Sequence, residues 1–244
     1  MQGSALERNK YSRILLKISG ESLSGGGKGI DLEAVRWMAG EVKKVVEDGV
    51  EVALMVGGGN LVRGGREDYG ISRVDADFLG MLGTLMNGIV LRGVMEKEGM
   101  DAEVLSAIGV DGIERYNPRK AKECLKQKKV VILTCGSGNP FFTTDTAAVL
   151  RALELEADCF IKGTKVSGVY DRDPERDENA KFFPELTYEE YLRLKLRVLD
   201  ITSVSLAMEH NLPILVYNCT EPDALMRVVR GEPVGTIIKG GGNA

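Results

Sequence analysis

Histidine is almost absent from this chain: His210 is the one imidazole in 244 residues. A zinc site of the usual Cys/His spacing lacks ligands, and a Ser-His-Asp relay has a single candidate base, placed before Asn211 and Pro213 where a helix ends. Cysteine is scarce too. Cys124, Cys135, Cys159 and Cys219 are widely scattered, and the last three lie in or beside apolar strand-like runs, so we expect reduced, packed thiols and a cytoplasmic compartment. With 7 prolines there is no Pro-rich linker, and no stretch reads as the roughly 18 apolar residues of a membrane span. Excess positive charge is missing as well: 32 Lys plus Arg stand against 36 Asp plus Glu, which gives no overall basic field for nucleic acid. Finally, neither the P-loop with its Gly-Lys-Ser/Thr ending nor G-x-G-x-x-G occurs, so the two commonest nucleotide fingerprints are excluded.

What is present is an alternation. Short apolar runs at 13–17, 51–56, 103–105, 130–134, 159–161, 213–217 and 236–238 read as strands, each too short for a helix. Helical patterns lie between them at 77–97, 119–128, 144–155, 203–210 and 221–229. The clearest runs from Asp31 as N-cap through Leu32, Val35, Met38, Val42 and Val45 to Gly49 as stop. This order predicts an α/β fold, a three-layer αβα domain over 11–239 with a mainly parallel sheet, flanked by flexible termini at 1–10 and 240–244. The polar stretch 172–181 reads as a surface loop. In such sheets ligands sit at the carboxyl ends of strands.

Three strands end in small residues: Lys17-Ile18-Ser19-Gly20, Gly57-Gly58-Gly59-Asn60 and Gly136-Ser137-Gly138-Asn139-Pro140. Glycine lets backbone N–H groups approach phosphate oxygens with no Cβ in the way. One glycine cluster is usually a plain turn, whereas three at equivalent strand ends suit a phosphate-bearing ligand. Cations stand beside them: Lys17, Arg63, Lys162 and Lys165. Lys17 ends an apolar strand, where a point charge can neutralise a transferring phosphoryl group.

These runs, with Gly138-Asn139-Pro140-Phe141-Phe142-Thr143-Thr144-Asp145 and Lys165-Val166-Ser167-Gly168-Val169-Tyr170, carry a close resemblance to the bacterial uridylate kinase family of the amino acid kinase superfold, over about 13–238. The resemblance implies a homohexameric enzyme of pyrimidine nucleotide biosynthesis that moves the γ-phosphoryl of ATP to UMP. Magnesium would arrive as Mg-ATP with no metal-ligating protein cluster, and GTP and UTP would be activator and inhibitor. It places Lys17, Ile18, Ser19, Gly20 and Gly59 around the ATP phosphates, Gly58 at the UMP phosphate and Arg63 between the substrates. Thr164, Tyr170 and Asp173 fall at the adenosine, where an aromatic face can pack on adenine. Asp77 falls at the UMP ribose, as an acceptor-only group suited to two hydroxyls. Ser137, Gly138, Asn139, Pro140, Phe141, Phe142, Thr143 and Thr144 wrap UMP and read uracil.

Asp145 and Asp200 are placed near the phosphoryl path, orienting lysines, with helix capping as the rival role for Asp145. Spacing alone leaves Lys162 and Lys165 as alternatives for the second phosphate lysine; we take Lys162. Two departures from the family pattern stand out, Ser167 where an Asp is usual and the glycine-rich loop 25–29, a region the family associates with GTP activation. Related superfold members acting on carboxylates or carbamates would keep Lys17 and residues 57–60 but would not need the segment 138–145. A non-catalytic nucleotide-binding protein on the same scaffold could dispense with Lys17, Arg63 or the acidic pair.

Overall fold

The computed structural model describes residues 9–62 and 70–241. Its nine-stranded sheet is built from β1 (Arg13–Ile18), β2 (Glu51–Val56), β3 (Ala102–Ser106), β4 (Glu114–Arg115), β5 (Val130–Thr134), β6 (Cys159–Thr164), β9 (Glu185–Thr187), β10 (Ile214–Asn218) and β11 (Thr236–Lys239), in the order β4-β3-β5-β2-β1-β6-β10-β11-β9. All neighbours pair parallel except β10 with β11. A separate antiparallel ribbon joins β7 (Val169–Tyr170) to β8 (Phe182–Phe183). From β1 the chain first builds outward through β2 and later returns to β1's other side with β6, which puts a topological switch point between the two. Crevices at such points are where ligands bind in open α/β sheets.

Alternation along the central strands builds the layers. Ile14, Leu16 and Ile18 of β1 pack with Val35, Met38 and Val42 of α1 (Leu32–Glu47) in one buried cluster, while Leu15 joins the opposite cluster with Ala147 and Ala148 of α4 (Thr144–Glu154). Lys17, two residues beyond Leu15, therefore turns toward α4. On β6, Phe160 lies in the same cluster as Leu15, and Lys162 follows it by the same step. Helix α1 begins at the expected cap: the Asp31 carboxylate accepts the N–H of Glu33 at 2.8 Å. Gly49, with φ of 92°, ends it in the left-handed region that favours glycine. His210 is the C-terminal cap of α6 (Ile201–Glu209), as its position before Asn211 suggested.

Two expectations change. Helix α2 (Arg73–Lys97) starts four residues before the expected 77, because Ser72 supplies a cap by accepting the Asp75 N–H at 3.1 Å. The same helix, 25 residues long with a hydropathy of 1.5, is by length and composition apolar enough to cross a membrane, contrary to our reading that no stretch approaches a span. Ala76, Leu85, Leu91 and Met95 bury one side of it against the sheet, as in a core helix. The polar stretch 172–181 has no helix or strand, as expected. Residues 1–8 and 242–244 of the expected flexible termini lie outside the described residues.

Candidate active site

A cleft of about 1310 Å³ opens at the carboxyl ends of β1, β2, β5 and β6. Pockets for one drug-sized ligand run to roughly 300–1,000 Å³, so this cleft has room for two nucleotides. Lys17, Ser19, Gly20, Gly58 and Gly59 line one part, Asp77, Ser137, Asn139, Phe142, Thr143 and Thr144 a second, and Lys162, Thr164, Tyr170 and Asp173 a third. Ile18, Gly138, Pro140, Phe141, Asp145 and Asp200 are not among the lining residues. Arg63 lies outside the described residues.

At the centre, Lys17 and Lys162 are register partners on adjacent strands, and both reach Asp145 in the first turn of α4. Lys17 Nζ lies 3.1 Å from Asp145 Oδ1, an ion pair not aligned as a hydrogen bond, so that buried oxygen has no hydrogen-bond donor. Lys162 Nζ donates to Asp145 Oδ2 and to the Val198 carbonyl. Burial opposes ionisation of Asp145, but the two ammonium groups outweigh it and bring its pKa from 3.8 down to about 2. Lys162 is also lowered, by burial first; Asp145 pulls it back up and Lys17 pushes it further down. One carboxylate is thus shared by two cations, an arrangement with positive charge in excess beside the cleft. Lys165 also lines the cleft, and it is Lys162 that shares Asp145 with Lys17.

Capping falls elsewhere than on Asp145. Thr143 caps α4 by accepting the Thr146 N–H at 3.1 Å, and it donates its hydroxyl to Asp200 Oδ2 at 2.5 Å. Asp200 is itself the N-cap of α6, accepting the Ser203 N–H at 2.9 Å, and also takes the Thr146 hydroxyl at 2.9 Å. Asp200 thus fastens two helix starts together beside the lysines, and the Thr143 hydroxyl, expected to meet uracil, is engaged within the fold. The Thr144 hydroxyl has no hydrogen-bond partner among the described residues and lines the cleft.

The second part of the cleft wall hangs on Asp77. Its carboxylate, placed at the ribose by the resemblance, receives Arg73 Nε at 2.9 Å and the backbone N–H of Phe141 at 2.8 Å. Arg73 also lies over the Phe141 ring, 5.7 Å from its centroid. Phe141 and Phe142 are exposed rather than core. Ser19 caps the short 3-10 turn Gly20–Leu23 by accepting the Ser22 N–H at 3.1 Å, and the Thr164 hydroxyl is spent on backbone carbonyls, nearest Val166 at 2.7 Å. The Tyr170 ring leans on Phe182 at 5.3 Å and lines the cleft, while Asp173 pairs with Arg176 at 3.3 Å. Sequence reasoning missed Arg73, Lys195 and Arg197 in the lining. Arg73 carried a signal, four residues before Asp77 at helical spacing; the other two sit in an irregular turn with none.

Residues 12–218 match the amino acid kinase family. The chain is 48% identical to the uridylate kinase of Pseudoalteromonas atlantica over 238 residues, 96% of each chain, and 48% identical to that of Psychromonas ingrahamii, covering 95% of this chain and 94% of the relative. Among solved structures, the UMP kinase of Bacillus anthracis superposes with a TM-score of 0.90 at 36% identity, covering 94% of this chain and 96% of that one. The UMP kinase of Ureaplasma parvum gives 0.87 at 33%, covering 93% and 98%. With residues 12–218 matched by the family and relatives 48% identical over almost the whole chain, the chain belongs to the amino acid kinase family.

Proposed function

We propose that this chain transfers the γ-phosphoryl of ATP to UMP, giving ADP and UDP. The observation that carries the reading is the Lys17–Asp145–Lys162 triad, set at the switch point between a wall of glycine loops and the segment 137–144. The relatives' names supply the acceptor. A UMP phosphate oxygen attacks the γ-phosphorus in line, and the protein contributes position and positive charge through Lys17, Lys162 and Arg63. The attacking oxygen is already an anion near neutral pH, so no general base is needed. Asp145 holds the two ammonium groups at one spacing; Asp200 fixes the α4 start that carries Asp145. Adenosine packs toward Thr164, Tyr170 and Asp173, and UMP toward Asp77 and Thr144.

Magnesium fits as a passenger. Both Asp145 oxygens face lysines, so this carboxylate is committed within the fold, and the ion is read as carried by the ATP phosphates and water. When bound, it neutralises charge on those phosphates. Residues 11–239 act as one catalytic domain, a reading supported by a sheet whose strands are drawn from Arg13 through Lys239. The exposed α2 side chains Val74, Phe78, Leu79, Met86 and Ile89 support self-association, with the homohexamer as the expected assembly. Four unpaired, buried cysteines support a reducing, cytoplasmic setting for pyrimidine nucleotide synthesis.

A coupled assay for ADP release tests the function. UMP should turn over well ahead of CMP, with no turnover of acetylglutamate; equal use of a carboxylate acceptor would move the chain to another branch of the family.

A further inference from the structure

The last residue of the second glycine run, Asn60, is buried against Asn87 of α2, and their side-chain amides exchange hydrogen bonds: Asn60 Nδ2 donates to Asn87 Oδ1 at 3.1 Å, and Asn87 Nδ2 donates to Asn60 Oδ1 at 2.7 Å. Each amide has one further N–H. That of Asn60 goes to the Gly29 carbonyl at 2.7 Å, and that of Asn87 to the Gly57 carbonyl at 2.8 Å. The Asn60 carbonyl in turn accepts the Gly29 N–H at 3.1 Å. A buried polar pair with all its donors used specifies one arrangement, because any shift leaves a buried amide unpaired. The space is closed above it as well, since a Cβ on Gly20 would lie 2.3 Å from Asn60 Oδ1.

The Gly57 carbonyl is the informative acceptor. Across a planar trans peptide the C=O of Gly57 and the N–H of Gly58 point in opposite directions. Anchoring that carbonyl on Asn87 therefore turns the Gly58 N–H away from α2. Gly58 lines the cleft, is buried, and its N–H has no partner among the described residues, whereas its carbonyl accepts from Leu61 and Val62 at 3.0 Å. A buried amide donor left open at a cleft wall is a group awaiting an anion. Gly58 tolerates no other residue here: a Cβ would lie 2.6 Å from the Gly80 carbonyl oxygen.

The geometry points to the Asn60–Asn87 pair as the positioning element of the phosphate loop, aiming the Gly58 N–H at a nucleotide phosphate and joining residues 25–29 to that aim through Gly29. Neither asparagine touches substrate; both act through Gly57 and Gly29. This inference rests on the proposed phosphoryl transfer, and its test separates the two.

Wild-type enzyme is assayed first with ATP and UMP; absence of UMP-dependent ADP release overturns the functional reading itself. With that activity in hand, Asn87→Ser, which removes the donor to Gly57, is compared with wild type for KM of each nucleotide, kcat and thermal midpoint. The expected result is a KM for UMP raised by about 10- to 100-fold, the worth of one hydrogen bond to a charged group, in a variant that still unfolds cooperatively. A lowered midpoint with both KM values unchanged assigns the pair a purely structural role and overturns the inference. Hydrogen exchange on the wild type gives an arm independent of any variant's folding: saturating UMP should slow exchange in a peptide spanning 25–30. Exchange there that ignores the nucleotide overturns the link to Gly29.

Discussion

Asp77 accepts the backbone N–H of Phe141 at 2.8 Å, a bond between positions 64 residues apart in the chain. Phe141 holds φ of 69°, a left-handed conformation that a bulky residue adopts only when its surroundings impose it. The carboxylate therefore shapes segment 137–144 within the protein itself. Asp77→Asn keeps an oxygen for the Phe141 N–H but loses the charge that holds Arg73; Asp77→Ala loses both. Initial-rate measurements should show the KM for UMP rising in the order wild type, Asn, Ala, with the alanine variant about 10- to 100-fold above wild type and the KM for ATP moving far less. A change confined to ATP would exchange the two pockets.

Lys17→Ala should lower kcat by about 10²–10³-fold, the scale on which removing one group that stabilises transition-state charge is felt. Its thermal midpoint should not fall, because Lys162 still pairs with Asp145. Steady-state kinetics beside a thermal melt reads both, and near-normal turnover would remove Lys17 from the chemistry.

Lys162 is lowered from its usual 10.5, by burial first and with Lys17 adding to the effect. An ammonium with a lowered pKa loses its proton earlier as pH rises, so kcat should decline on the alkaline side below pH 10.5. Lys162→Arg, whose guanidinium stays charged, should carry that decline out of the measurable range even if overall activity drops. An unchanged alkaline limb would assign it to another group.

Asp145 has its pKa depressed from 3.8 to about 2, so the sign of its stability contribution is fixed. The contribution is fully present above pH 3.8 and is lost as pH falls toward 2. Urea titrations across that window should show wild type losing about 2 kcal/mol more than Asp145→Asn, which has no carboxylate to protonate. Parallel pH curves would remove Asp145 from the acid transition.

Thr143 and Thr144 should separate cleanly. Thr143→Val loses both a helix cap and the bond to Asp200, so it should cost about 1–2 kcal/mol of stability. Thr144→Val should leave the melting temperature near wild type and narrow the ratio of UMP to CMP turnover. Preserved discrimination in the second variant would shift base reading to the backbone of the same segment.

The central strands and most helices were legible in the sequence because each strand buried on both faces is an unbroken apolar run; 51–56 and 130–134 match β2 and β5 to the residue. What escaped was short. The strands β7, β8 and β9 have 2 or 3 residues each, too few to show a period, and they surround a charged loop. The site was legible as a set of loops but not as a set of pairs. Alternation along β1 assigns Lys17 to the Leu15 face, yet nothing local says that β6 is its neighbour or that α4 delivers Asp145 between them. Asn87, a poor helix former inside an apolar helix, was a visible inconsistency whose reason lay 27 residues away in Asn60.

The edges of the main sheet have their own effect. It terminates in β4 on one side and β9 on the other, of 2 and 3 residues, so each terminal strand offers only a short run of backbone groups. A further strand from another copy would find no template long enough to add to, which guards a sheet of otherwise adhesive apolar strands against fibre-like growth. A second copy that associated with this chain would therefore have to do so through faces other than the sheet border.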